Sequence, residues 1–209
     1  MPATLVPDIE NPIPAGAPAI YPPRKRWTRD ECQSLESTGL WNRDKFELID
    51  GELIAKMSKN RPHSIVLMLV AEWLRGVFGP YHLNLESPVD VAPEDNPSSE
   101  PEPDIAVLSK DGNEYPKTFP PAADVRLLVE ISDSTLAFDL GPKARLYARA
   151  GIADYWVFDI QARRIIVHRD PSKGAYSSVI AYSEGEQVAP LAHPNALVAV
   201  SSVFPTRQT

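Results

Sequence analysis

The stretch Val125 to Ser132, VRLLVEIS, limits the possible folds more than any other part of the chain. On the two-residue period of a strand, Val125, Leu127, Val129 and Ile131 face one way, and Arg126, Leu128, Glu130 and Ser132 the other. Both faces are apolar until near the end, which is the pattern of an inner strand covered on both sides. Glu130 therefore starts from a partly desolvated position. A carboxylate there needs a cation or a hydrogen-bond donor, because an unpaired buried charge is strongly unfavourable.

A second acid lies upstream. Asp104 follows Pro103 and leads into Ile105-Ala106-Val107-Leu108, another apolar strand. If the two strands are neighbours, Asp104 and Glu130 can share one divalent metal ion. Downstream, the pattern predicts a helix beginning at Pro142 and running to Ala150, with Asp139 as its cap and Lys143 in its first turn. The helix macrodipole is positive there, so a cation in that turn calls for an anionic neighbour such as Glu130 or a phosphate. Lys143 and Tyr147, one turn apart, face the same side, and Tyr147 reads as core packing.

The rest of the chain supplies the frame. Residues 1–26 form a proline-rich arm, and residues 27–209 are expected to make one domain. Thr28-Arg29-Asp30-Glu31 is a capping box that opens a helix ending at Gly39. Asp50-Gly51 between Lys45–Ile49 and Glu52–Met57 signals a two-residue hairpin, in which Glu47 shares a face with Ile49, Glu52 and Ile54. By itself Glu47 reads as an edge-strand charge. Pro62 to Phe78 is apolar almost all round and predicts a buried helix, with His63 at its start. Leu83 to Val91 reads as a strand, and 109–124 as a loop. Asp154 to Ile160 is a strongly apolar central strand that pairs with Arg164–Arg169. Tyr176–Tyr182 and Gln187–Ala189 extend the antiparallel part, and Ala196–Phe204 closes it as a strand or helical turn.

The order Pro103-Asp104 then Glu130-Ile131-Ser132 resembles the PD-(D/E)XK nuclease superfamily. The longer set resembles its Uma-type family of restriction-endonuclease-like proteins: Phe46 to Glu52, His63 before a helix, Val129 to Ser132, Asp139-Lys143-Tyr147 and Gly151 to Trp156. This resemblance implies an α/β (α+β) fold, a restriction-endonuclease-like mixed sheet flanked by helices. An N-terminal helix-hairpin and a C-terminal antiparallel extension complete it. It further implies an endonuclease that uses Mg²⁺, or Mn²⁺, to cut DNA, working as a homodimer. Asp104, Glu130 and the backbone carbonyl of Ile131 would hold the metal, and Lys143, Glu47 and His63 would join them in catalysis. One departure stands out: the superfamily's lysine two residues after the glutamate is Ser132 here, and Lys143 takes its place from the following helix. The alternative is a catalytically inactive binding or scaffold protein of the same fold.

Composition narrows this further. A net charge of -7 weighs against binding nucleic acid over a broad basic surface, although Arg24-Lys25-Arg26 and Lys56, Lys59 and Arg61 cluster locally. The lone cysteine, Cys32, excludes an internal disulfide and fits a reducing, cytoplasmic compartment. Residues 1–13 lack the basic start and apolar run of a signal peptide. The longest apolar run, Ile65 to Ala71, is too short to span a membrane, so no membrane partner is expected. A carboxylate-pair glycosidase finds little support, since Trp27, Trp41, Trp73 and Trp156 do not cluster.

Overall fold

The computed structural model describes residues 24–39 and 42–206, so most of the proline-rich arm lies outside the described residues. The elements follow in chain order. Helix α1 (Arg29–Ser37) precedes the hairpin β1 (Phe46–Ile49) and β2 (Glu52–Ala55), and then comes α2 (Arg61–Phe78). Strands β3 (Leu83–Leu85), β4 (Ile105–Leu108) and β5 (Val125–Ser132) lead to a composite helix. That helix comprises α3 (Leu136–Phe138), a π turn (Asp139–Lys143) and α4 (Ala144–Arg149). Strands β6 (Asp154–Asp159), β7 (Arg164–Ser172), β8 (Ala175–Ser183), β9 (Gln187–Val188) and β10 (Val198–Ala199) follow.

The main sheet has six strands in the order β3-β4-β5-β6-β7-β8. Strand β5 sits inside it, antiparallel to β4 (Ile105 opposite Val129) and parallel to β6 (Val129 opposite Trp156). A parallel pair needs a crossover, and the composite helix supplies it. One face of the sheet packs Val129, Ile131, Trp156 and Phe158 against Val66, Val70 and Leu74 of α2. The other packs Ala106, Leu128, Tyr155 and Val157 against Leu146 and Tyr147 of the crossover helix. Both sides of β5 are thus covered, as its apolar faces require, and the architecture is a mixed sheet between helices with β7 and β8 as its antiparallel extension.

Local chemistry explains the borders. Thr28 and Glu31 form the reciprocal capping box at the start of α1. Asp50 and Gly51 have φ of 47° and 76°, the left-handed pair that a tight hairpin turn demands, and a Cβ on Gly51 would press on Arg26. Asn60 caps α2 by accepting from the His63 amide, with Pro62 in the first turn.

Four expectations need correction. The strand expected over Leu83–Val91 stops at Leu85, because Glu86 turns to φ 49° and Pro88 follows. Helix α2 buries one face only, through Val66, Val70, Ala71 and Leu74, while Met68 is 59% exposed. Gln187–Val188 does not extend the main sheet but pairs with Val198–Ala199 in a ribbon of its own. The crossover helix begins at Leu136 rather than Pro142, which removes the macrodipole conflict at Lys143. Among the described residues, no helix is long and apolar enough to cross a membrane.

Candidate active site

The site gathers where β5, the β1–β2 hairpin, the start of α2 and the π turn meet. Antiparallel pairing of β4 with β5 brings Asp104, just before Ile105, beside the end of β5. There Asp104 Oδ2 accepts the Ile131 amide at 2.8 Å, and its Oδ1 lies 3.2 Å from His63 Nε2. Glu130, opposite Asp104 in this register, faces the crossover helix, where Lys143 Nζ and the Tyr147 hydroxyl both donate to its Oε1, each at 2.9 Å. Lys143 Nζ also lies 3.1 Å from Glu47 Oε2, an oxygen that accepts the Glu102 amide at 3.2 Å.

The π turn has an identifiable cause. Pro142 has no N–H to give to the preceding turn, and its ring crowds the carbonyl four residues back. The chain widens, and the Ala144 amide reaches back five residues to the Asp139 carbonyl. A four-residue step slightly overshoots one α turn and undershoots one π turn, so the two offsets largely cancel. Asp139, Lys143 and Tyr147 consequently share one line facing β5. Asp139 is no cap: it is buried and accepts from Ser132 Oγ at 2.5 Å and Thr135 Oγ1 at 2.7 Å.

Burial and crowding set the protonation states. Burial pushes Glu130 well above the usual carboxylate range; Lys143 opposes this, and Asp139, Asp104 and Glu47 reinforce it. Burial likewise raises Asp139, against Lys143 and its two hydroxyl donors. For Lys143, burial favours the neutral amine, but Glu130, Glu47 and Asp139 outweigh it and hold the ammonium well above its ordinary value. Glu130, Glu47 and Asp139 thus surround Lys143, with Asp104 beside Glu130, on the floor of a pocket of about 140 Å³. His63 lines the same pocket, and its Nδ1 is buried without a hydrogen-bond partner among the described residues.

The structure therefore brings together all the singled-out side chains: Glu47, His63, Asp104, Glu130 and Lys143. It gives Ile131 a further part through its amide. Sequence reasoning missed the Tyr147 hydroxyl as a donor to Glu130, and it missed Asp139 as a buried acid linked to Ser132. The four-residue spacing of Asp139, Lys143 and Tyr147 was the available signal. The local basic clusters are largely spent: Lys25 pairs with Glu31, Arg26 with Glu52, Lys56 with Glu102 and Lys59 with Glu86.

Comparison with known proteins bears on the fold and the family. The crystal structure of a "putative nuclease" from Anabaena variabilis superposes with a TM-score of 0.63 at 17% identity, covering 85% of this chain and 97% of the other. At that identity the likeness establishes a shared fold. No curated protein matches the chain. The Uma2 family model, described as "Putative restriction endonuclease", matches residues 30–201, a span that contains every residue of the site. By that match, the chain belongs to the Uma2 family.

Proposed function

We propose that this protein is a metal-dependent endonuclease hydrolysing phosphodiester bonds of DNA. One observation carries the proposal: a buried lysine is held against Glu130, with Asp104 on the adjoining strand, at the floor of an open pocket. Deprotonated, the four acids of the floor would carry more charge than Lys143 can offset, and a bound cation would favour that state of Glu130 and Asp139 against the burial that raises them. Hard carboxylate oxygens in anionic excess suit Mg²⁺, and Mn²⁺ as its substitute. Among the described residues, no three His, Cys, Asp or Glu side chains are grouped to bind a metal by themselves. The fit is therefore of the two-carboxylate kind, with Asp104, Glu130 and the Ile131 carbonyl as protein ligands and substrate oxygens and water as the rest. When bound, such an ion supplies Lewis acidity toward the scissile phosphate and acidity toward water.

The chain's own residues do the remainder. Lys143 stays an ammonium, so it acts as a donor that orients the attacking water and offsets charge on the pentavalent phosphate, and not as a base. Glu47 steadies that ammonium together with Glu130. His63 and the Ile131 amide hold the two oxygens of Asp104 in place. Assembly as a homodimer and a cytoplasmic location rest on the resemblance to Uma-type nucleases and on the single cysteine.

The test is nicking of supercoiled plasmid in Mg²⁺ by the wild type and by Asp104→Asn and Glu130→Gln, each checked for fold by circular dichroism. Loss of nicking in both folded variants is expected. Undiminished nicking in either one refutes the assignment. Calorimetric titration separates the scaffold alternative, which predicts no Mg²⁺ or Mn²⁺ binding at millimolar concentration.

A further inference from the structure

The pocket over Glu130 is walled on two sides. Residues 54–60, running from β2 into α2, contribute Ile54 and Met57; residues 133–138 contribute Asp133 and Phe138. The most deeply buried charged groups lie at the bottom. The side chains of Glu130 and Lys143 are each 5% exposed, and those of Glu47 and Asp104 are each 11% exposed. Higher up, among polar side chains such as Lys56, Lys59, Asn60 and Asp133, two apolar ones line the pocket: Met57, 62% exposed, and the half-buried Phe138. An open methionine and a ring beside buried charge make a surface suited to a nucleobase, and base–aromatic stacking tolerates any sequence.

The lip is poorly suited to a duplex. Double-stranded DNA carries a negative charge about every 1.7 Å of axis, and proteins bind it through many lysines and arginines free to neutralise phosphates. Here the lip lysines, Lys56 and Lys59, are already paired with Glu102 and Glu86, and the whole chain carries a net charge of -7. A duplex also keeps its bases stacked inward on a stiff cylinder, so offering one to a side wall carries the cost of unstacking and unpairing it. A single strand is narrow, flexible and less densely charged, and it is spared the unpairing. Resting on the nuclease reading above, we infer that the substrate is single-stranded DNA, or an unpaired segment of it, with one base against Met57 and Phe138 and the adjoining phosphate at the floor.

The experiment uses a fluorescein-labelled DNA oligonucleotide, alone or annealed to its complement. Cleavage is followed in Mg²⁺ with the wild type, and binding by anisotropy with Asp104→Asn. Met57→Ala and Phe138→Leu are each added to that binding background; the first is at an exposed position, and the second keeps apolar packing. The single strand is expected to be cut and bound at least about tenfold better than the duplex, and each added substitution should weaken single-strand binding by about threefold to tenfold. Equal or faster cutting of the duplex overturns the inference while leaving the nuclease reading intact. Preferential single-strand binding, weakened by both substitutions but without cleavage in folded wild type, sustains the inference and overturns the catalytic reading. Binding indifferent to both substitutions overturns the inference, and absence of both binding and cleavage overturns the two together.

Discussion

Tyr147 donates its hydroxyl to the same oxygen of Glu130 that Lys143 occupies, at 2.9 Å in each case. Two donors on one oxygen fix the carboxylate's orientation. Tyr147→Phe should therefore cost about 1.5–3 kcal/mol of stability, the usual range for a bond to a charged group. Because Lys143 remains, cleavage should fall less than in Glu130→Gln. Urea unfolding and a nicking assay on the same samples check both parts.

Lys143→Met leaves Glu130 and Glu47 without their shared cation in a buried setting. Removing one partner of such a cluster is expected to cost about 3–5 kcal/mol. The double variant Lys143→Met/Glu130→Gln should recover much of that stability and none of the activity. A double-mutant cycle in urea measures the coupling, and simple additivity would contradict it.

Asp104→Asn keeps an oxygen to accept the Ile131 amide, whereas Asp104→Ala removes it. Both should abolish Mg²⁺-dependent cleavage. Only the alanine variant should lose stability by about 1–3 kcal/mol, the cost of an unsatisfied buried amide. Thermal melts of the two side by side decide this.

Glu130 and Asp139 are raised above the ordinary carboxylate range, so the folded state holds protons that the unfolded state has already released. Stability from these groups is present at low pH and declines as pH rises from the ordinary carboxylate value through their raised values. In metal-free buffer, the wild type should lose stability relative to Glu130→Gln as pH rises through that window. Mg²⁺ should restore part of it if the ion binds the folded state alone. Urea midpoints at several pH values, with and without Mg²⁺, test the sign.

Pro142 creates the π turn that lines up Asp139 with Lys143. Pro142→Ala should leave stability unchanged or higher, because it restores an ordinary helical bond, yet lower cleavage about tenfold or more through misplacement of the amine. Undiminished cleavage would show that the wide turn is incidental.

Much of this site was legible because burial leaves a plain record in sequence. An acid near the end of a two-faced apolar strand, and another opening its neighbour, can hardly avoid meeting. What was not legible depended on geometry without a period. The hairpin's Glu47 looked like an edge charge, since nothing local reveals that Lys143 will arrive beside it. Tyr147 looked like packing because periodicity identifies a face and says nothing of where a hydroxyl points. Pro142 looked like a helix start, the commonest place for proline, and the true start at Leu136 was hidden by the irregular turn. Likewise, Leu83 to Val91 is apolar enough for a strand, but the backbone reversal at Glu86 is not written in hydrophobicity.

Because the amine comes from the crossover helix and not from β5 itself, no single segment of this chain contains the whole proposed centre. The acid and its cation are joined only by docking of one layer onto another. Slight loosening of that seam, by heat or denaturant too mild to melt the sheet, would separate them and, on the proposed reading, disarm the molecule. On the same reading, a partly assembled copy would hold the acid without its cation and would not cut.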